Sequence, residues 1–230
     1  MKPFCIYFLL FFLYSFFGWM LEVSCKLISD KKFINRGFLV GPYCPIYGCG
    51  AIGITLLLKR YYNDPFTLFV MTMVFCSILE YGTSYFLEKF FHTRWWDYSQ
   101  RRFSINGRIC LETMIPFGVL GLIIMYLCNP FFYGWIQKLP DILLYIISFL
   151  LIFGMIIDIC VSFKIMSSLT LISSNIRTDS TEKITRMVRK EIMKQNQLLQ
   201  KRLINAFPKL EILYSKGIAR KEKRKQKKKS

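Results

Sequence analysis

The chain is short of almost everything that soluble enzyme chemistry uses. It has one histidine, His92, and 14 Asp/Glu against 32 Lys/Arg. None of its eight cysteines (Cys5, Cys25, Cys44, Cys49, Cys76, Cys110, Cys128, Cys160) forms a C-x-x-C pair. With a single imidazole besides, neither a zinc or haem site nor a disulfide framework is expected. Thiols scattered through apolar stretches pack as small hydrophobes. No G-x-x-x-x-G-K-[ST] run is present, so the chain has no P-loop with which to hydrolyse nucleotide. Gly48-x-Gly50-x-x-Gly53 matches the dinucleotide pattern, but no strand precedes it and no βαβ unit surrounds it. His92 stands alone in a basic aromatic loop and reads as an interfacial polar side chain rather than a proton shuttle. No cofactor, metal or catalytic residue is expected, and the chain reads as a non-enzyme.

What is plentiful is apolar length. With 53% hydrophobic residues and a mean hydropathy of +0.35, a soluble two-layer domain is a poor fit. Five stretches stand out: Phe4–Leu21, Ile46–Leu58, Phe66–Leu87, Ile109–Cys128 and Ile142–Phe163. A helix crossing the ~30 Å hydrocarbon core needs ~20 mostly apolar residues, and four of the five meet that. Ile46–Leu58 is short, with Gly41–Tyr47 available to extend it. The expected fold is therefore all-α, a polytopic transmembrane helical bundle of about five spans. The first stretch follows Lys2 but is too long for a signal peptide and lacks an A-x-A-like site, so it reads as a retained span.

Charge orients the bundle. The Glu22–Pro45 loop holds four Lys/Arg (Lys26, Lys31, Lys32, Arg36) and the Glu88–Arg108 loop five (Lys89, Arg94, Arg101, Arg102, Arg108). The alternate segments hold only Lys2, then Lys59 and Arg60, then Lys138. Five spans with the N-terminus outside and the C-terminus cytoplasmic satisfy the positive-inside bias at every loop. The expected location is the cell membrane, as a multi-pass protein.

Two parts follow: a transmembrane bundle over 1–168 and a basic cytoplasmic extension over 169–230. Residues 1–163 carry 13 Lys/Arg and 9 Asp/Glu, against 19 and 5 for 164–230. In the extension, Asp179 and Glu182 resemble a helix start, and Phe207-Pro208 ends the pattern. Ile184, Val188, Ile192, Leu199 and Leu203 share a face, with Arg186, Arg189, Lys190, Lys194 and Lys201 on others: a basic amphipathic helix. Arg220–Lys229 has no apolar residue and reads as a disordered tail. Anionic inner-leaflet lipids are the expected partners of this segment, alongside the bilayer itself, with protein docking or self-pairing as the alternatives. Nucleic acid is not expected, because the run lacks aromatic or groove-reading residues.

The acidic residues concentrate at the inner side. Glu22 ends the first stretch, Glu80 and Glu88 lie in the inner half of the third, Glu112 opens the fourth and Asp158 closes the fifth. Glu80, Ser84 and Glu88 recur every four residues and share a helix face. Facing them, Arg36, Arg94 and Arg108 suit forked pairing with carboxylates, and Asp97 sits beside Trp95-Trp96. The candidate cluster is thus Glu22, Arg36, Glu80, Glu88, Arg94, Asp97, Arg108 and Glu112. Two readings stay open: ion pairs that fix helix ends at the interface, or groups lining an inward-facing cavity for a substrate or proton. Gly41-Pro42-Tyr43-Cys44-Pro45-Ile46-Tyr47-Gly48-Cys49-Gly50 suggests an extended entry into a closely packed helix, with Gly50 and Gly53 letting neighbours approach. Pro116 with Gly118 and Gly121 predicts a kinked, tightly packed fourth span.

Gly18-Trp19 with Glu22, Asn35-Arg36-Gly37-Phe38, Gly41 through Gly48, Leu87-Glu88-Lys89, Arg94-Trp95-Trp96-Asp97-Tyr98 and Asn106 through Glu112 together resemble the putative ABC-transporter type IV permease family. These are small membrane proteins, chiefly of Gram-positive bacteria. The match spans about 13–130, with mild departures at Cys49 and Ser104, and the basic tail lies outside it. The resemblance implies a permease-like subunit of unassigned substrate, energised by a separate ATPase. Arg36, Arg94 and Asp97 are then plausible contacts for that subunit. Five spans are few for a complete exporter, so self-association or a second membrane subunit is expected. The alternative function is a membrane scaffold or regulator that recruits partners or anionic lipid through its tail. A third is an ion-coupled carrier built on Glu80 and Glu88.

Overall fold

The computed structural model describes residues 1–31, 37–91, 93–94, 96–174 and 211–212, with side chains over 1–28, 31, 37–91 and 96–167. Arg36, the expected amphipathic helix and the lysine-rich tail lie outside the described residues. Among the described residues, six α-helices run α1 Lys2–Asp30, α2 Pro45–Leu57, α3 Pro65–Phe91, α4 Leu111–Ile123, α5 Asn129–Gln137 and α6 Asp141–Ser174. A five-residue π turn, Ile124–Cys128, joins α4 to α5 without a break. The strands among them are two residues each, β1 Thr93–Arg94 paired antiparallel with β2 Glu211–Ile212.

Proline places several of these starts. Its missing N–H costs nothing in a first turn, and it stands there in α1, α2 and α5. α3 also opens on Pro65, with Asp64 ahead of it taking the Thr67 N–H at 3.1 Å and the Thr67 hydroxyl at 2.5 Å. Those bonds favour the ionised carboxylate and hold Asp64 below its usual range. α4 runs on through Pro116 rather than ending there. The register loosens further along, where the Asn129 N–H reaches back five residues to the Ile124 carbonyl. Pro130 follows directly and has no N–H to offer the ladder, so a wider turn is tolerated at this point.

Four segments are long and apolar enough to cross a bilayer: Lys2–Ile28, Pro65–Phe91, Leu111–Gln137 and Asp141–Ser167. The fourth apolar stretch therefore continues past Cys128 to Gln137. The protein is all-helical and multi-pass, but the second crossing is not a full helix. At 13 residues, α2 rises only about 20 Å, short of the ~30 Å needed. It starts beside the middle of α1, where the Cys44 N–H donates to the Ser15 carbonyl at 2.8 Å. It then runs antiparallel to α1, with Ala51 in one core beside Leu10 and Tyr14. The irregular entry Gly37–Cys44 covers the remaining depth. Non-helical backbone at such depth survives only when buried in protein or lining a wet cavity.

Close approach makes this pairing work. A Cβ on Gly48 would strike the Phe11 carbonyl and the Ser15 hydroxyl, and one on Gly53 would strike the Phe75 ring. Gly50, expected to be equally tight, meets only the Cys76 sulfur at 3.8 Å, an ordinary contact. A polar chain ties three helices together inside the apolar layer. Tyr14 Oη donates to Asn129 Oδ1 at 2.6 Å, and Asn129 Nδ2 donates to Thr55 Oγ1 at 2.9 Å. Each such group must find a protein partner, because lipid offers none.

Candidate functional site

The last turns of α3 carry Glu80, Tyr81, Ser84, Tyr85 and Glu88, a stripe at helical spacing. Arg108, from the loop that returns to α4, lies along it. Its Nη1 is 3.1 Å from Glu88 Oε2 and donates to Ser84 Oγ at 3.3 Å. Its guanidinium carbon is 5.5 Å from the ring centres of both Tyr81 and Tyr85. The Arg108 side chain is 9% exposed and that of Glu88 20%. At such burial, each charge depends on the other remaining in place.

The 96–110 loop is built to deliver that arginine. Trp96 Nε1 donates to the Arg108 carbonyl at 3.0 Å, and the Tyr98 N–H donates to the Gly107 carbonyl at 2.8 Å. Asp97 Oδ1 accepts from the Ser99 N–H at 3.0 Å and the Ser99 hydroxyl at 2.6 Å. Gly107 sits at φ 67 with its Cα against Asp97 and Ser99, so any Cβ there would be both strained and blocked. Asp97 thus organises its own loop.

Glu80 lies one turn before Ser84 and has a poorer environment. Tyr98 Oη reaches its Oε1 at only 3.4 Å. Oε2 is buried with no hydrogen-bond partner among the described residues. Glu22 of α1 lies near enough to repel it, and accepts the Tyr47 hydroxyl at 2.8 Å. Two carboxylates from different helices thus lie close together, beside tyrosines of α2 and the loop. Glu80→Gln is expected to keep the melting temperature within a few degrees of wild type, since it removes a buried charge one of whose oxygens has no hydrogen-bond partner and whose bond to Tyr98 is long. A loss above ~10 °C in detergent-solubilised protein would show that the carboxylate holds the fold.

The structure brings Glu22, Glu80, Glu88 and Arg108 to one end of the bundle. Glu112 is at that end too, but it pairs outward with Arg101 at 2.7 Å, both side chains more than half exposed. Such a pair contributes little to stability. Arg36 and the Arg94 side chain lie outside the description. Asp158 is the important residue left out of the expected cluster. Its Oδ1 accepts the Val40 N–H at 2.9 Å and the Ser162 hydroxyl at 3.2 Å. Its Oδ2 accepts the Gly41 N–H at 2.8 Å and the Tyr43 hydroxyl at 2.7 Å. Asp158 therefore pins the irregular entry to α6. A carboxylate set in Ile156-Ile157-Asp158-Ile159 was the available signal, because a charge at such depth needs donors.

Four long apolar helices and a composite crossing, with a polar cluster at one end, define a multi-pass membrane protein. The chain belongs to the family described as putative ABC-transporter type IV, whose family model matches residues 9–163. The match begins within α1 and ends within α6, before the basic extension. Searches of curated proteins and of solved structures give no match.

Proposed function

We propose that the chain is the membrane subunit of an ABC-type transport system, embedded in the cell membrane with its C-terminus in the cytosol. It carries no catalytic site and works with a separate ATPase subunit that docks at the end holding the α3–α4 loop. The observation that carries this reading is the buried Arg108–Glu88 pair, which locks that loop onto α3. Force from a nucleotide-driven partner reaches the spans only through a stiff connection, and a loop fastened inside the helix end is one. The Lys/Arg-rich connections at this end supply the cytosolic orientation.

The experiment is purification of the full chain from its native membranes after in-cell crosslinking. An ATPase crosslinked within 92–110, with nucleotide turnover reduced by a change at Asp97, supports the proposal. Recovery of the chain alone under every crosslinking condition overturns it. A second reading, an ion-coupled carrier without an ATPase, is favoured by the unpartnered Glu80 oxygen. It requires ion-dependent flux in liposomes holding this chain alone, abolished by Glu80→Gln.

A further inference from the structure

The tip of the α3–α4 loop is shaped unlike a water-exposed turn. Phe103 is 79% exposed and Ile105 53% exposed, although the loop beneath them is tightly bonded. Phe103 holds φ 53, a left-handed conformation that an aromatic residue enters only at a cost. The turn thus spends backbone strain to present a ring rather than hide it.

Depth decides what the ring faces. The Ile105 N–H donates to the Ile109 carbonyl at 2.9 Å, and Asn106 Nδ2 donates to Tyr81 Oη at 2.9 Å. These bonds fold the tip back along α3 instead of extending it beyond Phe91. Tyr81 lies about 24 Å along the helix axis from Pro65, inside the ~30 Å apolar thickness. At the opposite end, Asp64, Lys59 and Arg60 are exposed and mark the other interface. Phe103 and Ile105 therefore sit near the boundary between acyl chains and headgroups. Leu111 and Ile115, exposed on the first turns of α4, continue an apolar surface toward the bilayer interior.

The charges beside the tip suit the same layer. Arg101 is committed to Glu112, whereas Arg102 is exposed with no hydrogen-bond or ion-pair partner among the described residues. An arginine next to an aromatic at this depth matches a lipid phosphate above and acyl chain below. We propose that the α3–α4 tip is a phospholipid-binding anchor, in which Phe103 and Ile105 enter the headgroup–acyl boundary and Arg102 binds a lipid phosphate. This reading is independent of whether an ATPase docks nearby. The anchored loop would hold Arg108 in place from the lipid side as Glu88 holds it from within.

The test uses the full chain reconstituted in bilayers. Phe103→Trp adds one indole, whose signal is the difference from wild type. It is expected to be quenched by lipids brominated high on the acyl chain about twice as strongly as by aqueous acrylamide. Adding Arg102→Gln should reverse that ratio. In parallel, the unmutated chain in bilayers doped with a photoactivatable phospholipid should carry lipid adducts within residues 101–105. An indole quenched from water and not by brominated lipid overturns the proposal, as does an absence of adducts at 101–105 when adducts form on α6. That result would assign the tip to a soluble protein partner.

Discussion

Arg108→Met is expected to destabilise the protein by about 3–5 kcal/mol, the largest loss from any single change to a described side chain. Methionine fills much of the volume but takes the buried guanidinium away from the largely buried Glu88 carboxylate. It also removes the donor to Ser84 and the cation between Tyr81 and Tyr85. On the scale of a protein this size, that corresponds to a fall of about 10 °C in the melting temperature of detergent-solubilised protein. The diagnostic comparison is the double variant Arg108→Met with Glu88→Gln. Removing both charges also removes the carboxylate that faced the arginine, so at least half of the loss should return. If the double variant melts as low as the single one, the arginine matters through packing and its tyrosine neighbours, and the ion pair is incidental.

Asp158→Ala is expected to have the second largest effect, about 3 kcal/mol, because four donors lose one acceptor at once. Two of those donors are backbone N–H groups of Val40 and Gly41, at a depth where water cannot easily replace the carboxylate. The damage should be local. Hydrogen–deuterium exchange is expected to rise across Gly37–Cys44 while α3 and α4 keep their protection. Asp158→Asn should fall between wild type and alanine, since its amide retains one acceptor oxygen and turns a donor toward groups that themselves donate. Uniform protection in the alanine variant would mean that close contact at Gly48, rather than the carboxylate, holds the entry segment.

The helical topology was legible in the sequence because lipid imposes so simple a rule: long apolar runs become helices, and basic residues gather on one side. The composite second crossing was half legible. Its short run and its two prolines announced an irregular entry, and Gly41–Gly48 is where the backbone departs from helix. Gly53 is tight as expected, but the close glycine against α1 is Gly48 rather than Gly50, since which face of a short helix meets its neighbour depends on the neighbour's register. The continuation of the fourth span to Gln137 was hidden by Asn129-Pro130, which reads as a stop but is absorbed by the π turn. At the site, Glu80 and Glu88 on one face of α3 follow from spacing alone. The choice of Arg108 as the partner of Glu88 does not, because it depends on how the 96–110 loop folds back. Asp97, expected in the polar cluster as a contact for a partner subunit, bonds to Ser99 two residues on as a turn former. Asp158 was visible as a charge in an apolar run, but its donors come from residues more than a hundred positions away.

The central claim is that the end of the bundle holding Glu22, Glu80, Glu88 and Arg108 faces the cytosol. Cysteine accessibility in intact cells tests it most directly, using a cysteine-depleted chain with single cysteines at Ser99 or Asn63. Asn63→Cys is expected to react with a membrane-impermeant maleimide added outside, and Ser99→Cys only after the membrane is opened. Labelling of Ser99→Cys in sealed cells, with Asn63→Cys protected, would contradict the orientation and the proposed docking of an ATPase with it.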